Sequence, residues 1–165
     1  MYTRSHADAS LLEIETSVIP VSPGVEPLIL NTTNSITYID TQREVTMIHS
    51  QSYDFVIAEI QRYAESVTGG DDNGHVFRLR DQRDIDSLPS IEFLITSVDD
   101  DQEPFALAMF PRDYVTETSP NEYRLDLRPN DDHIVLGYKF LQTVVLHVDN
   151  VNHRIGFGEP LADFE

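Results

Sequence analysis

The sequence predicts an all-β fold with one main helix, and three observations support this prediction. Most apolar segments are short, and several alternate apolar with polar residues, as half-buried strands do. Clusters of Gly, Pro, Asn and Asp separate these segments at short intervals, which is typical of turns between strands. Helical spacing of apolar residues extends over one long stretch, residues 53–66. We therefore expect a single all-β domain with minor helical turns.

The N-terminal part of the chain is predicted to contain an arm followed by strands. Residues 1–10 are polar and are expected to form a flexible arm, with the domain itself spanning residues 11–165. A strand or strand pair over Leu11–Val21 shows partial alternation. Pro20, together with the prolines and the glycine that follow it, indicates a turn, and Leu28–Leu30 is a short apolar strand.

Two further strands precede the predicted helix. They cover Ile36–Ile39 and Val45–Ile48. The helix is predicted over residues 53–66, with Ser50 or Ser52 as its N-cap and a pair of glycines ending it. Its buried face contains four residues at helical spacing: Val56, Ile60, Tyr63 and Val67.

The second half of the chain reads as β-structure interrupted by turns. Alternation, β-branched residues and flanking turn signals recur at intervals throughout this half. The predicted strands are His75–Leu79, Ile91–Val98, Phe105–Phe110, Tyr123–Leu127, Gln142–Val148 and Arg154–Gly158, and Ile134–Gly137 starts the densest apolar stretch. A turn over Asp149–Asn152 is expected to join the last two strands as a hairpin.

Composition and charge argue against several classes of partner and site. The chain has 165 residues, a formal net charge of -18 and a pI near 4.4, which argues against nucleic acid or an anionic membrane as partner. No apolar run approaches the length of a membrane-spanning helix, so membrane insertion is not expected. Cysteine is absent, which excludes disulfides and cysteine metal sites. Residues 1–10 lack the apolar core of a signal peptide, and the compartment stays undetermined.

No cofactor or metal site is predicted from the sequence. Six histidines are scattered without the spacing of a zinc site. The acidic turns Asp71–Gly74 and Asp99–Asp101 fit calcium weakly, but no glutamate follows at the distance an EF-hand requires, so solvated turns are the better interpretation. Neither a glycine-rich phosphate loop nor a nucleophile elbow is present.

The carboxylate of Asp40, at the end of the strand Ile36–Ile39, is the most distinctive polar feature. A carboxylate at the end of a buried strand is costly unless backbone N–H groups or a partner hold it. Strand-end acids occur at catalytic sites, and they also occur as plain turn formers. From these residues alone a turn or cap aspartate is the better interpretation. A catalytic interpretation depends on what the rest of the chain contains.

Further motifs accompany Asp40 in a fixed order and extend from about residue 11 to about residue 160. They are Tyr38-Ile39-Asp40-Thr41, Tyr53-Asp54-Phe55, Leu88-Pro89-Ser90-Ile91-Glu92-Phe93, Pro111-Arg112-Asp113-Tyr114-Val115, Val135-Leu136-Gly137, and Val148-Asp149 with Arg154-Ile155-Gly156-Phe157. In order and spacing they resemble the C-terminal lobe of a pepsin-like aspartic protease (A1 family), closest to the β-secretase type. The resemblance implies a single pepsin-like lobe in which Asp40 lies beside Gly137.

The resemblance also implies a site that departs from the family pattern. In the family two aspartates share one proton and hold a water, and this chain supplies Asp40 at most. Gln42 stands where the family has a glycine, and we expect its side chain to distort the tight turn there. Arg43 replaces a hydroxyl residue that hydrogen-bonds the carboxylate, and a cation at this position discourages proton sharing. Glu44 follows where a small hydroxyl residue is usual.

Two functions are compatible with this pattern. Asp40 is a vestigial catalytic candidate, Thr41 retains the hydroxyl that braces the two lobes in the family, and Gln42, Arg43 and Gly137 are binding candidates. In the first function the chain is a catalytically degenerate lobe, a structural or binding module for an N-terminal protease lobe, another protein subunit or a peptide. In the second it is the C-terminal half of an active aspartic endopeptidase whose second aspartate comes from another lobe. The altered residues after Thr41 favour the first.

Overall fold

The computed structural model describes residues 2–4, 12–21, 35–70, 74–95, 105–152 and 154–158. These ranges contain fourteen strands and a few short helices, so the all-β prediction is confirmed. The predictions for residues 28–30, 71–73 and 99–101 lie outside the described residues. None of the described helices has the length and apolar character needed to cross a membrane.

The strands and helices follow the chain in this order. The first seven strands are β1 (Tyr2–Arg4), β2 (Leu12–Val21), β3 (Ser35–Asp40), β4 (Thr46–Ile48), β5 (Ala64–Gly69), β6 (His75–Leu79) and β7 (Ser90–Ile95). The next seven are β8 (Phe105–Met109), β9 (Val115–Ser119), β10 (Glu122–Leu125), β11 (Leu127–Pro129), β12 (Ile134–Gly137), β13 (Val145–Asp149) and β14 (Arg154–Gly158). The helices are α1 (Ser50–Tyr63), α2 (Pro111–Tyr114) and α3 (Tyr138–Leu141), with a 3-10 helix at Gln82–Ser87.

A seven-stranded mixed sheet carries the candidate site. Its strand order is β11-β4-β12-β3-β2-β7-β8, which places β3 near the middle. β12 runs parallel to β3 and β11 runs parallel to β4, whereas the other described pairings in this sheet are antiparallel. Because a parallel pair needs a long crossover between its strands, β3 and β12 bring together residues that are far apart in sequence.

Pro20 lies inside β2 rather than in the turn that the sequence predicts. β2 pairs with β3 over Leu12–Thr16 and with β7 over Thr16–Val21. The segment containing Pro20 therefore has one described neighbour, β7, and lies opposite Ile91. A proline lacks the N–H that a second neighbouring strand would need, so an edge-like position accommodates it.

Two smaller sheets complete the described part of the chain. One has the order β5-β6-β10-β9, and the other has the order β1-β14-β13. The strand β1 differs from the flexible arm predicted over residues 1–10, because Tyr2–Arg4 pair antiparallel with β14, Tyr2 opposite Gly156. Residues 5–11 are outside the described ranges, and the extent of the domain stays a prediction.

The hydrophobic core is continuous from the large sheet to α1 and the smaller sheets. Phe93 and Phe140 pack with ring centroids 5.3 Å apart, and Phe77 stacks on Tyr123 at 5.7 Å. Tyr114 is buried and donates its hydroxyl to the Pro89 carbonyl oxygen at 2.8 Å. The largest fully buried side chains are Tyr114, Phe77, Phe93, Phe140, Ile48, Ile60, Leu79, Leu88, Ile91, Ile95 and Met109.

The start of α1 corrects the predicted cap. The helix begins at Ser50 with His49 as N-cap, and no side chain of the N-cap residue bonds the first turn. Instead the Asp131 carboxylate accepts a hydrogen bond from the Ser50 N–H at 3.0 Å. Ser52 is buried, and its hydroxyl has no hydrogen-bond partner among the described residues. The orphan N–H of the first turn is thus satisfied by a residue from the loop before β12.

The end of α1 also differs from the prediction. The helix ends at Tyr63, and Ala64–Gly69 form β5, which pairs antiparallel with β6. Val67, predicted to lie on the helix face, lies opposite Phe77 in this pair. Val56 and Ile60 are fully buried, as predicted, so the helical periodicity is correct up to the point where pairing with β6 takes over.

Candidate functional site

Asp40 is the last residue of β3 and lies directly opposite Gly137 of β12 in the parallel pair. The same register aligns Tyr38 with Val135 and Ile39 with Leu136. The sequence analysis predicted that Asp40 would end a strand beside the segment 135–137, and this placement is confirmed.

The carboxylate of Asp40 is engaged by the two residues that follow Thr41. Its Oδ1 accepts hydrogen bonds from the backbone N–H of Gln42 at 3.0 Å and of Arg43 at 3.3 Å. Its Oδ2 lies 3.5 Å from Nε of Arg43. The Asp40 side chain is 27% exposed, so the group is half-buried within its own turn. All of these contacts come from donors, an arrangement that suits a carboxylate held by its neighbours rather than one that shares a proton.

The turn after Asp40 accommodates Gln42 without the left-handed backbone that a glycine permits. Among the described residues, Asn121 is the one non-glycine residue with a positive φ (63°). Gln42 therefore adopts an ordinary conformation, and its N–H still reaches the carboxylate. The backbone at Gln42 is therefore not strained, in contrast to the distortion of the turn that the sequence predicts.

Gly137 is required by the close approach of the segment that follows Asp40. A Cβ atom at this position would overlap the Val45 carbonyl oxygen and would lie 2.8 Å from the Arg43 carbonyl oxygen. The Gly137 N–H donates to the Thr46 hydroxyl at 3.2 Å. The Tyr138 N–H donates to the Arg43 carbonyl at 2.7 Å. The backbone after Gly137 thus holds the turn that carries Arg43.

Thr41 is exposed, and its hydroxyl makes no hydrogen bond to any described residue. It sits at the turn between Asp40 and Gln42, on the surface of the lobe. Its role in bracing a second lobe stays a prediction, because the chain contains one lobe.

A pocket of about 290 Å³ opens beside Asp40, and we name it the Asp40 pocket. It is lined by Tyr38, Asp40, Arg43, His133 and Val135. The rings of Tyr38 and His133 meet edge to face, with centroids 4.9 Å apart and planes at 84°. The sequence alone predicts a site for neither ring. The alternation of strand β3 contained a signal, since residues 38 and 40 point to the same side of a sheet.

An ion cluster around the buried carboxylate of Asp126 contacts the segments next to Asp40 and Gly137, and we name it the Asp126 cluster. The Asp126 side chain is 1% exposed and accepts hydrogen bonds from Nζ of Lys139, from Nε of Arg124 at 2.8 Å and from the Thr116 hydroxyl at 2.6 Å. Arg124 also donates Nη2 to a Glu44 carboxylate oxygen at 2.7 Å. Sequence reasoning missed this cluster, because its members come from four separate segments.

The Asp126 cluster connects both segments that flank Asp40. Glu44 belongs to the turn after Asp40, and Lys139 follows Gly137 by two residues. The Asp126 carbonyl oxygen accepts the Thr46 N–H at 3.1 Å, which ties the cluster to the start of β4. Buried charges are tolerated when they are paired and hydrogen-bonded, and the Asp126 carboxylate meets both conditions through Arg124, Lys139 and the Thr116 hydroxyl.

Within the described ranges, no group of three or more His, Asp or Glu side chains is arranged to hold a metal ion. The comparisons with known proteins concern the chain as a whole. Residues 8–159 match the family described as "Xylanase inhibitor C-terminal". The chain belongs to this family. Among curated proteins, none matches the sequence significantly.

The fold of this xylanase inhibitor C-terminal domain is shared with a solved structure, that of basic 7S globulin from soybean. The two superpose with a TM-score of 0.69 at 14% sequence identity, over 95% of this chain and 41% of the soybean chain. At this identity the likeness concerns the fold alone. The chain thus spans less than half the length of that relative.

The family assignment and the fold together identify a pepsin-like lobe, so the predicted fold class is confirmed. The narrower resemblance to the β-secretase type stays a prediction. So do the roles assigned to Asp40, Thr41, Gln42, Arg43 and Gly137, which the structure places at the paired ends of β3 and β12 and in the turn that follows Asp40.

Proposed function

We propose that this chain is a catalytically degenerate pepsin-like lobe, which acts as a structural or binding module together with a partner lobe or another protein. One observation carries the proposal: the Asp40 carboxylate is engaged by Nε of Arg43 and by the N–H groups of Gln42 and Arg43. Arg43 places a cation beside Asp40, whereas the proteolytic mechanism pairs such an acid with a second carboxylate.

The composition of the Asp40 pocket supports the loss of chemistry. Its described lining contains one carboxylate, that of Asp40, and one guanidinium, that of Arg43. A shared-proton mechanism requires two carboxylates close enough to split their pKa values. With Arg43 at 3.5 Å, the charge of Asp40 is balanced within the lobe, and a second aspartate entering from a partner would face a cation.

The proposed partner is supported by exposed apolar residues on the three-stranded sheet. β13 lies at one edge of the order β1-β14-β13, and Val145, Val148 and the neighbouring turn residue Val151 are exposed. An edge strand with apolar side chains is a site of further pairing unless something covers it. The chain also spans 41% of the matched soybean structure, which leaves room for a second lobe in a relative of that length.

A different partner is favoured over a second copy of this chain. The formal net charge of -18 makes two identical acidic surfaces repel each other, unless the contact lies away from the charge. A protein with a more basic surface, or an N-terminal lobe, meets no such penalty. Native mass spectrometry of material purified from its source tests this point. A monomer without any co-purifying chain would contradict the proposed pairing.

The alternative, an active half of an aspartic endopeptidase, is favoured by one observation. Asp40 ends its strand opposite Gly137 and retains 27% exposure, so a second lobe would still find a carboxylate at the surface. Because the alternative needs a second aspartate from another lobe, the chain assembled with any partner lobe separates the two proposals. We expect it not to cleave a mixed peptide library between about pH 3 and 6, the range in which carboxylate pairs work. Pepstatin-sensitive cleavage that disappears on Asp40→Asn would support the alternative.

A further inference from the structure

We propose that the Asp40 pocket binds a carboxylate carried on a short apolar chain, with Arg43 as the group that recognises it. The inference rests on the proposed function. In a catalytically degenerate lobe Asp40 does not exchange a proton, so Arg43 can stay paired with Asp40 and also bind a ligand. It adds a ligand class to a site for which the proposed function names only a peptide or a partner.

The first observation is the unused hydrogen-bonding capacity of Arg43. Its contact with Asp40 uses Nε, and its two Nη groups have no hydrogen-bond partner among the described residues. The side chain is 47% exposed at the mouth of the pocket. A guanidinium presents five donors in a planar fork that matches a carboxylate in two parallel hydrogen bonds. Arg43 can therefore hold Asp40 with one edge and a ligand carboxylate with the other.

The second observation is that the remaining walls suit the rest of such a ligand. Val135 and the edge-to-face rings of Tyr38 and His133 supply apolar surface. The Tyr38 hydroxyl and the His133 ring nitrogens have no hydrogen-bond partner in the described part of the chain, so they are additional polar contacts. The pocket therefore offers apolar surface together with polar groups that can fix the orientation of a ligand.

The third observation is the size and charge of the pocket. A volume of about 290 Å³ lies just below the range of ligand pockets, which are roughly 300–1,000 Å³, so it suits one side chain or a small organic acid. A cationic ligand is disfavoured because the Asp40 carboxylate already accepts two backbone N–H groups and faces Arg43. The net charge of -18 opposes an anion at long range, and this repulsion is screened beyond about 8 Å at physiological salt.

NMR titration of the full chain tests the proposal, with the ring signals of Tyr38 and His133 as reporters. The probes are hexanoate, its neutral analogue hexanamide and its cationic analogue hexylamine. We expect saturable shifts with hexanoate and binding weaker by about tenfold or more with hexanamide, since the charge-assisted hydrogen bonds are lost. Equal or tighter binding of hexylamine, or the absence of saturable shifts with hexanoate, would overturn the proposal.

Two further probes distinguish the sources of the carboxylate. Acetyl-Leu-Glu-amide carries it on a peptide side chain, and acetyl-Leu-Gln-amide is its neutral match. Preferential binding of the glutamate peptide over hexanoate identifies an acidic peptide as the ligand, and the reverse identifies a small organic acid. Either result supports recognition of a carboxylate. Equal binding of the two peptides would contradict recognition of the carboxylate when a peptide side chain carries it.

Variants assign the recognition to Arg43. Arg43→Gln should weaken hexanoate binding by about tenfold or more, and Tyr38→Phe, which keeps the ring, should weaken it less. Arg83→Gln is the matched control, because Arg83 is exposed and pairs with Asp81 away from the pocket. Unchanged binding in Arg43→Gln would overturn the proposal even if Tyr38→Phe behaved as expected. Failure to bind hexanoate without peptide cleavage refutes this inference alone, whereas pepstatin-sensitive cleavage refutes the proposed function.

Discussion

Gly137 lies so close to Val45 that a Cβ atom at position 137 would overlap the Val45 carbonyl oxygen. This contact fixes the turn after Asp40 against β12, with the Tyr138 N–H donating to the Arg43 carbonyl oxygen. The position of Arg43 beside Asp40 therefore depends on a glycine that is distant in sequence.

Gly137→Ala should lower the free energy of unfolding by about 1–3 kcal/mol, because backbone atoms have to move to admit the methyl group. Urea denaturation measures the change. Gly158→Ala is the control, since a Cβ there meets Val145 at an ordinary 3.8 Å. It should leave stability unchanged or raise it by up to about 1 kcal/mol, because alanine loses less backbone entropy than glycine. A neutral Gly137→Ala would refute the close approach.

Asp126→Asn tests whether the buried cluster stabilises the lobe. The substitution removes the charge that pairs with Arg124 and Lys139, and we expect a loss of about 1.5–3 kcal/mol. This is below the roughly 3–5 kcal/mol of a fully buried pair, because both cations partly reach solvent. Thermal and urea unfolding give the difference.

The control for Asp126→Asn is Asp86→Asn. Asp86 pairs with Arg112 on the surface, where both side chains are largely exposed. Exposed pairs contribute little to stability, so no change beyond experimental error is expected. Equal effects of the two substitutions would mean that the Asp126 cluster is no more stabilising than a surface ion pair.

Much of the fold is predictable because its signals are local. The strands β3, β6 and β14 carry alternation or dense apolar residues between turn residues, and their predicted and observed bounds nearly coincide. The order of motifs around them also places Asp40 beside Gly137. The strand signals require no knowledge of which distant segments meet, whereas the meeting of Asp40 and Gly137 follows from the resemblance to the pepsin-like lobe.

What sequence reasoning misses depends on pairing between distant segments. Val67 continues the helical spacing of α1, yet pairing with β6 turns it into a strand residue. The helix cap comes from Asp131, 81 residues from Ser50. The Asp126 cluster and His133 in the Asp40 pocket likewise depend on contacts that no local pattern predicts.

Ser52→Ala distinguishes the observed cap from the predicted one. Because the Ser52 hydroxyl is buried without a hydrogen-bond partner among the described residues, its removal should leave stability unchanged or raise it. If Ser52 were the N-cap, the same substitution would cost about 0.5–2 kcal/mol. The sign of the change in urea midpoint therefore decides, and a clear loss would contradict the cap assigned to Asp131.

Asp131→Asn should reduce stability in a pH-dependent manner. The hydrogen bond from the Ser50 backbone N–H, together with the Ser50 side chain and the nearby His49, lowers the pKa of the Asp131 carboxyl below its ordinary 3.8. A carboxylate with a lowered pKa stabilises the folded state above its unfolded pKa, and this contribution is lost as the pH falls through the folded value.

The difference in unfolding free energy between the unmodified chain and Asp131→Asn should thus be constant above about pH 5 and shrink below about pH 4. Denaturation at several pH values measures it. Asp132→Asn is the control, since the Asp132 carboxylate accepts no hydrogen bond from described residues. A difference that grows as the pH falls would contradict the role of Asp131.

Peptide cleavage by the assembled protein tests the central claim most directly. The chain, purified together with any partner it has in its source, is incubated with a peptide library between about pH 3 and 6, alongside an Asp40→Asn assembly. Because Arg43 and two backbone N–H groups occupy the Asp40 carboxylate, we expect no pepstatin-sensitive cleavage and no difference between the two assemblies. Cleavage that pepstatin blocks and that Asp40→Asn abolishes would contradict the account.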